Sequence, residues 1–178
     1  MNYITNSLQS LQANPFNPAD KIPKELVHKR EQRNVVISSV QRVSTSDTDL
    51  FECYLTFDDN LPFFFEHHLD HIPGLLIIEA ARQMGTATLH KFFDIRSDFS
   101  FVLDNVDCEF LSYAELHAPV RFQMTVKEEV PSGKVRMNRR EFRSSLRVFQ
   151  AERCCARMSF GGTCLSPKLI ARLRAGID

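Results

Sequence analysis

The hydrophobic period of the chain changes twice. Residues 34–44 (NVVISSVQRVS) read as a first extended stretch. Over 50–57, Phe51, Cys53, Leu55 and Phe57 alternate with Glu52, Tyr54 and Thr56, the two-residue period of a half-buried strand. Residues 58–73 carry Asp, Asn and Pro punctuation and predict a loop. Over 74–93 the period lengthens. Ile77, Ala80, Ala81, Met84 and Ala87 fall on one side of a helix, while Glu79, Arg82, Gln83, Thr86 and His90 form a polar stripe down the other. The first two turns are apolar nearly all round, which predicts burial of that end. At about 1.5 Å per residue the helix is roughly 30 Å long, enough to cross a small sheet.

The rest of the chain returns to the strand period. Residues 99–111 come first. Val120, Phe122, Met124 and Val126 then alternate with Arg121, Gln123, Thr125 and Lys127, and a Pro-Ser-Gly turn is expected at 131–133. Phe142, Leu146 and Val148 alternate with Arg143, Ser145 and Arg147, and Cys154, Ala156, Met158 and Phe160 alternate with Arg153, Cys155 and Arg157. Residues 166–176 open with Ser-Pro and close with Gly, the punctuation of a short helix. The order is two strands, one long helix and four strands, with no internal repeat. An antiparallel sheet of five to six strands wrapped round one long central helix buries such a helix, so the expected class is α+β with a single hotdog fold. The expected divisions are a polar N-terminal arm (1–25), the hotdog domain (26–165) and a short C-terminal helix or tail (166–178).

Composition narrows the function classes. The 178 residues are 43% hydrophobic and 25% charged, enough for one domain with a core. Lys+Arg and Asp+Glu both number 22, so net charge gives no pull toward nucleic acid or a membrane surface. No apolar run is long enough for a membrane span, and the N-terminus shows no signal-peptide pattern. Five scattered cysteines without a CxxC pair argue for reduced thiols, hence a cytoplasmic setting, rather than a disulfide framework or a zinc site.

The chemistry concentrates in LPFFFEHHLDHIPGLLIIEAARQMG, residues 61–85. Glu79 stands in an otherwise apolar helix start, where a carboxylate is costly unless paired or put to use. In an apolar pocket its pKa would rise toward working pH, which suits a general base; the alternative is a structural pair with Arg82 or Gln83 one turn on. The helix start at Pro73-Gly74 offers free N–H groups that could stabilise an oxyanion, and Gly74 would let a ligand approach the backbone. His67, His68 and His71 with Asp70 lack the spacing that fixes metal ligands on one helical face, so no metal is expected. His71 is a candidate acid/base partner, because imidazole titrates near neutrality. Arg139, Arg140, Arg143, Arg147, Arg153 and Arg157 either dock phosphates or form a solvated outer sheet face. Phe63, Phe64 and Phe65, with Phe92 and Phe93, either line an acyl tunnel or fill the core.

The string His71, Pro73, Gly74, Glu79, Ala80, Arg82, Gln83, with VHKR at 27–30 before the first strand, resembles the A-factor biosynthesis (AfsA-like) hotdog family over roughly residues 26–162. A more distant likeness is to the hydroxyacyl thioester dehydratases of fatty-acid synthesis. Their loop histidine corresponds to His67, His68 or His71, and their helical acid to Glu79. The A-factor resemblance implies an enzyme without a bound cofactor that moves a β-ketoacyl group. The donor would be an acyl-carrier-protein or coenzyme A thioester. The acceptor would be the hydroxyl of a dihydroxyacetone phosphate-like molecule, a step toward a γ-butyrolactone signal. It implies Glu79 and His71 as catalytic residues and Gly74, His68, Arg82 and Gln83 as substrate-binding residues. Family members typically carry two hotdog copies, so a single-copy chain is expected to form a homodimer with its long helices side by side. The alternatives are an acyl thioester hydratase or dehydratase, or a non-catalytic acyl-binding module.

Overall fold

In a computed structural model of the chain, the structure describes residues 20–44, 49–57, 61, 63–129 and 138–176. Six antiparallel strands form one sheet: β1 (Gln41–Ser44), β2 (Leu50–Tyr54), β3 (Ser100–Phe110), β4 (Val120–Glu129), β5 (Arg139–Gln150) and β6 (Arg153–Leu165). Their spatial order is β1-β2-β4-β5-β6-β3. Helix α1 (Gly74–Phe92) interrupts the chain between β2 and β3, and α2 (Pro167–Arg174) closes it. The expected hotdog class and the sequence of elements both stand. The Pro-Ser-Gly turn at 131–133 lies outside the described residues.

The alternation sets the core. Phe51, Phe122, Met124, Leu146, Val148, Ala156 and Met158 point from one sheet face onto Leu76, Ala80, Met84 and Ala87 of α1, all buried. The alternate residues face out. Arg143, Arg147 and Arg157 are exposed there, with Arg147 directly across from Arg157. The solvated face is therefore the reading that holds for them. Arg140 differs, donating to Glu128 at 2.6 and 2.7 Å and to the Phe93 carbonyl at 2.6 Å.

Three expectations need adjustment. The first extended stretch does not run unbroken from 34: a 3-10 turn occupies Gln32–Asn34 and β1 begins at Gln41. The cause is local competition, because the Asn34 carbonyl and the Val36 N–H bond to the Gln83 side chain on α1 instead of a neighbouring strand. Of the expected arm (1–25), residues 1–19 lie outside the described residues. Ile22 is buried and its N–H bonds to the Ile37 carbonyl at 3.2 Å, so residues 20–25 join the domain. The start of α1 is not buried all round, since Leu75 is 62% exposed.

Strand β3 departs most from its pattern. It sits at the sheet edge beyond β6, and most of its residues are exposed, Val102, Leu103, Val106 and Phe110 among them. This edge sets four exposed apolar side chains beside Asp104, Asp107 and Glu109, with no Lys, Arg or Pro along it.

Candidate active site

Positions 79, 82 and 83 lie one turn apart on one face of α1, so helical geometry brings a carboxylate, a guanidinium and an amide together. Arg82 donates to both Glu79 oxygens, from Nε at 2.8 Å and Nη2 at 2.9 Å, and Gln83 Nε2 donates to Oε1 at 2.8 Å. Lys29 adds its Nζ at 2.7 Å from Oε1. Two 3-10 turns, Lys24–Val27 and Gln32–Asn34, lay the intervening segment over this face. Arg82 also reaches the Val27 carbonyl at 3.4 Å.

Gln83 closes the arrangement. It is fully buried, accepts from the Val36 N–H at 3.0 Å and donates to the Asn34 carbonyl at 2.9 Å as well as to Glu79. Its amide has no hydrogen left for a ligand. The expectation that Gln83 binds substrate is therefore corrected: it holds Glu79 and residues 34–36 in place.

The electrostatics also differ from expectation. Burial raises the Glu79 carboxyl, but the hydrogen bonds and charge of Arg82, with Lys29 and Gln83, outweigh it and hold the pKa down at about 2. The raised value expected from an apolar pocket is corrected: the alternative pairing with Arg82 and Gln83 one turn on is the one formed, and Lys29 adds to it. Glu79 is an ionised carboxylate across the working pH range. With Lys29 and Arg82 beside it, the cluster keeps one net positive charge.

Glu79 is not sealed in. It lies on a cleft of about 460 Å³ with Lys29, Asn34 and Arg82 at its polar end. Leu61, Phe63, Phe64, Leu75, Ile78 and Phe160 form apolar walls. Phe63 and Phe64 thus reach the cleft, whereas Phe65 stacks on Phe57 at 5.4 Å. Lys29, Asn34 and Phe160 were not singled out from sequence. The VHKR string held the only signal, a lysine next to the first strand.

His71 does not join this cleft. Its Nδ1 lies 2.7 Å from Asp70 Oδ1 and its ring packs 4.9 Å from that of Tyr113, in a separate depression completed by Glu115. The His71 ring in turn holds the Asp70 carboxyl below its usual range. The expected pairing of His71 with Glu79 is corrected on this ground: the two cavities share no lining residue. His68 is exposed on the same loop. At Gly74 the close neighbour is the Phe110 ring. A Cβ there would meet Phe110 Cζ at 2.7 Å, so the missing side chain admits that ring rather than a ligand. Among the described residues no three His, Cys, Asp or Glu side chains cluster as a metal would need, no helix is long and apolar enough to cross a membrane, and all five cysteines are free.

A second histidine pair braces the polar segment. His28 has the left-handed φ of 55°. Its Nε2 lies 2.9 Å from His90 Nε2, and His90 Nδ1 bonds to the Ile95 carbonyl at 2.7 Å. A carbonyl only accepts, so neutral His90 carries its proton on Nδ1 and His28 Nε2–H is the donor between the rings. Partial burial, then the charges of His90 and Arg82, hold the His28 pKa below its ordinary value.

A sheet curled round one helix, with an ionised carboxylate on an amphipathic cleft, defines a hotdog-fold domain with a ligand-sized site. The chain belongs to the A-factor biosynthesis hotdog domain (AfsA) family, which it matches over residues 11–166. It is 34% identical over 92 residues to the 2-oxo-3-(phosphooxy)propyl 3-oxoalkanoate synthase of Streptomyces virginiae; this covers 48% of the chain but 29% of that enzyme. The chain thus spans under a third of this relative's length. In fold it is similar to yhdA of Lactococcus lactis, a protein assigned as a thioesterase. The TM-score is 0.52 at 10% identity, covering 74% of this chain and 93% of that one.

Proposed function

We propose that the domain catalyses acyl transfer from a thioester, moving a β-ketoacyl group from a carrier-protein or coenzyme A thiol to the hydroxyl of a small phosphorylated acceptor such as dihydroxyacetone phosphate. The observation that carries this reading is the two-sided cleft: apolar walls suited to an acyl chain meet a polar end with two cations and one ionised carboxylate. The named product chemistry of the Streptomyces virginiae relative supports it.

In the reaction the acceptor hydroxyl oxygen attacks the thioester carbonyl carbon. A C–O bond forms, the C–S bond breaks, and the hydroxyl proton ends on the departing thiol. Glu79 orients that hydroxyl and relays its proton, while Arg82 and Lys29 offset charge on the phosphate and on the tetrahedral oxyanion. An acceptor phosphate that draws Lys29 and Arg82 toward itself loosens both ion pairs and returns basicity to Glu79. Hydration chemistry would need a His–Glu pair, and none of His67, His68 and His71 lines the Glu79 cleft. A homodimer in a cytoplasmic setting belongs to the same proposal. The exposed apolar edge of β3 supports the dimer, because Leu103 lines the cleft while half exposed and a partner there would help close it. The free thiols support the setting.

The test supplies the purified protein with a β-ketoacyl thioester, alone and with dihydroxyacetone phosphate, and follows products by mass spectrometry. The proposal predicts an acceptor ester that forms only when the acceptor is present. Release of the free β-keto acid at the same rate with and without acceptor would mark a hydrolase instead.

A further inference from the structure

Helix α1 carries a glycine in its middle. Gly85 costs roughly 1 kcal/mol of helix stability relative to alanine, yet a Cβ placed there would meet nothing within 4 Å. Across from it Gly162 occupies β6, two positions beyond core-facing Phe160 in the strand alternation. Apart from the Val102 carbonyl at 3.2 Å, a Cβ there is also unopposed. Between them is a slot of about 120 Å³, walled by Leu89, Phe101 and Phe142. That is comparable to the ~150 Å³ apolar cavity that takes up benzene in an engineered protein. Arg82, Leu103 and Phe160 line both this slot and the Glu79 cleft, so the two adjoin at the guanidinium.

Two of the slot's hydroxyls are engaged elsewhere. Thr86 Oγ1 donates to the Arg82 carbonyl at 3.1 Å and Thr163 Oγ1 to Asp104 at 2.9 Å. Burial pushes the Cys164 thiol up to about 12 against the opposing pull of Arg140, so it stays a neutral wall. The cleft opens beside Phe63 and Leu75, 76% and 62% exposed; in the slot Leu89 and Phe142 are buried, while Val102 and Leu103 of β3 are half exposed at its rim. A chain entering past Phe63 meets Glu79 and Arg82 first and the slot last.

We infer that the slot between Gly85 and Gly162 is the seat of the distal alkyl tail of the acyl group, and that Gly85 and Leu89 determine the chain length the domain accepts. This rests on the acyl-transfer reading and adds a specificity determinant to it. An alkyl segment seated there buries about 0.8 kcal/mol per methylene, and that gain is lost when a side chain fills the space.

The experiment measures binding by calorimetry. The probes are acyl-coenzyme A analogues in which a methylene replaces the thioester sulfur, with butyryl to dodecanoyl chains. Gly85→Leu should lower the ratio of dodecanoyl to butyryl affinity about ten-fold or more. Leu89→Ala, which lengthens the slot, should move the optimum to longer chains. Either shift supports the inference, so misfolding of one variant leaves the other decisive. If both variants fold and keep the wild-type chain-length profile, the slot does not hold the tail. The same conclusion follows if Gly85→Leu changes only the dimer dissociation constant, which would mean that the slot receives a partner side chain. If the wild type binds no acyl analogue of any length, the acyl-transfer reading itself falls, and the inference with it.

Discussion

The two sides of helix α1 follow opposite rules. The core side (Leu76, Ala80, Met84, Ala87) is apolar and sealed against the sheet. The stripe side (Glu79, Arg82, Gln83, Thr86, His90) is polar yet also largely covered, and nearly every polar group on it has a named partner in the helix or in residues 27–36. Burial on the first side supplies stability through area and shape, indifferent to direction. On the second side it fixes directions. A carboxylate, two cations and an amide are held where a cleft reaches them, with part of the stability given up to burying charge.

The largest expected effect lies on the core side. Met84 is fully buried, and Met84→Ala should cost about 2–5 kcal/mol by loss of packing and the cavity left behind. Activity per folded molecule should stay near wild type, as denaturant melts combined with specific activity would show. Gln83→Leu sharpens the contrast. It strands the buried Val36 N–H and frees Glu79, so it should cost about 1–3 kcal/mol and, unlike Met84→Ala, also depress turnover per folded molecule. Equal turnover in the two variants would erase the distinction between the sides.

Acid separates them further. The Glu79 pKa is about 2 in the folded protein against an ordinary 4.5. Its depressed value stabilises the fold at pH above the ordinary carboxylate value, and that contribution is lost as pH falls from there through about 2. Glu79→Gln should flatten this part of the acid-unfolding curve, and Met84→Ala should only shift the curve. A smaller effect is expected from His28, whose pKa lies below the ordinary 6.5. The folded state favours its neutral ring, so stability should decline as pH drops below about 6.5 and level off once the folded-state ring has protonated. Titration of the ring resonances by NMR checks this, with His90→Phe as the variant that keeps a ring but removes the neighbouring imidazole nitrogens.

Much of this architecture was legible in the sequence, because period is a local property. Alternation at 120–126 and 142–148 and the stripe at 79–90 are written within single elements. The partners of the stripe are only partly local. The Arg82–Glu79 pair spans one turn and is among the readings the sequence leaves open, but Lys29 and Val27 meet Glu79 and Arg82 only after the chain has turned through two strands. The exposure of β3 was hidden for a related reason: Val102, Leu103 and Val106 have core composition, and only the strand order places them at an edge. His71 shows the converse. Residue type and the family resemblance make His71 a candidate acid/base partner, but the turn into α1 sends it and Glu79 to different cavities.

The ionised carboxylate at Glu79 is the point on which the functional account stands. Its most direct measurement is the rate of acceptor-ester formation by wild type and Glu79→Gln, each verified as folded, at saturating β-ketoacyl thioester and dihydroxyacetone phosphate. The account predicts a fall of roughly a hundred-fold or more, the usual scale for a positioned acid or base. A Glu79→Gln protein that forms the ester at the wild-type rate would contradict it.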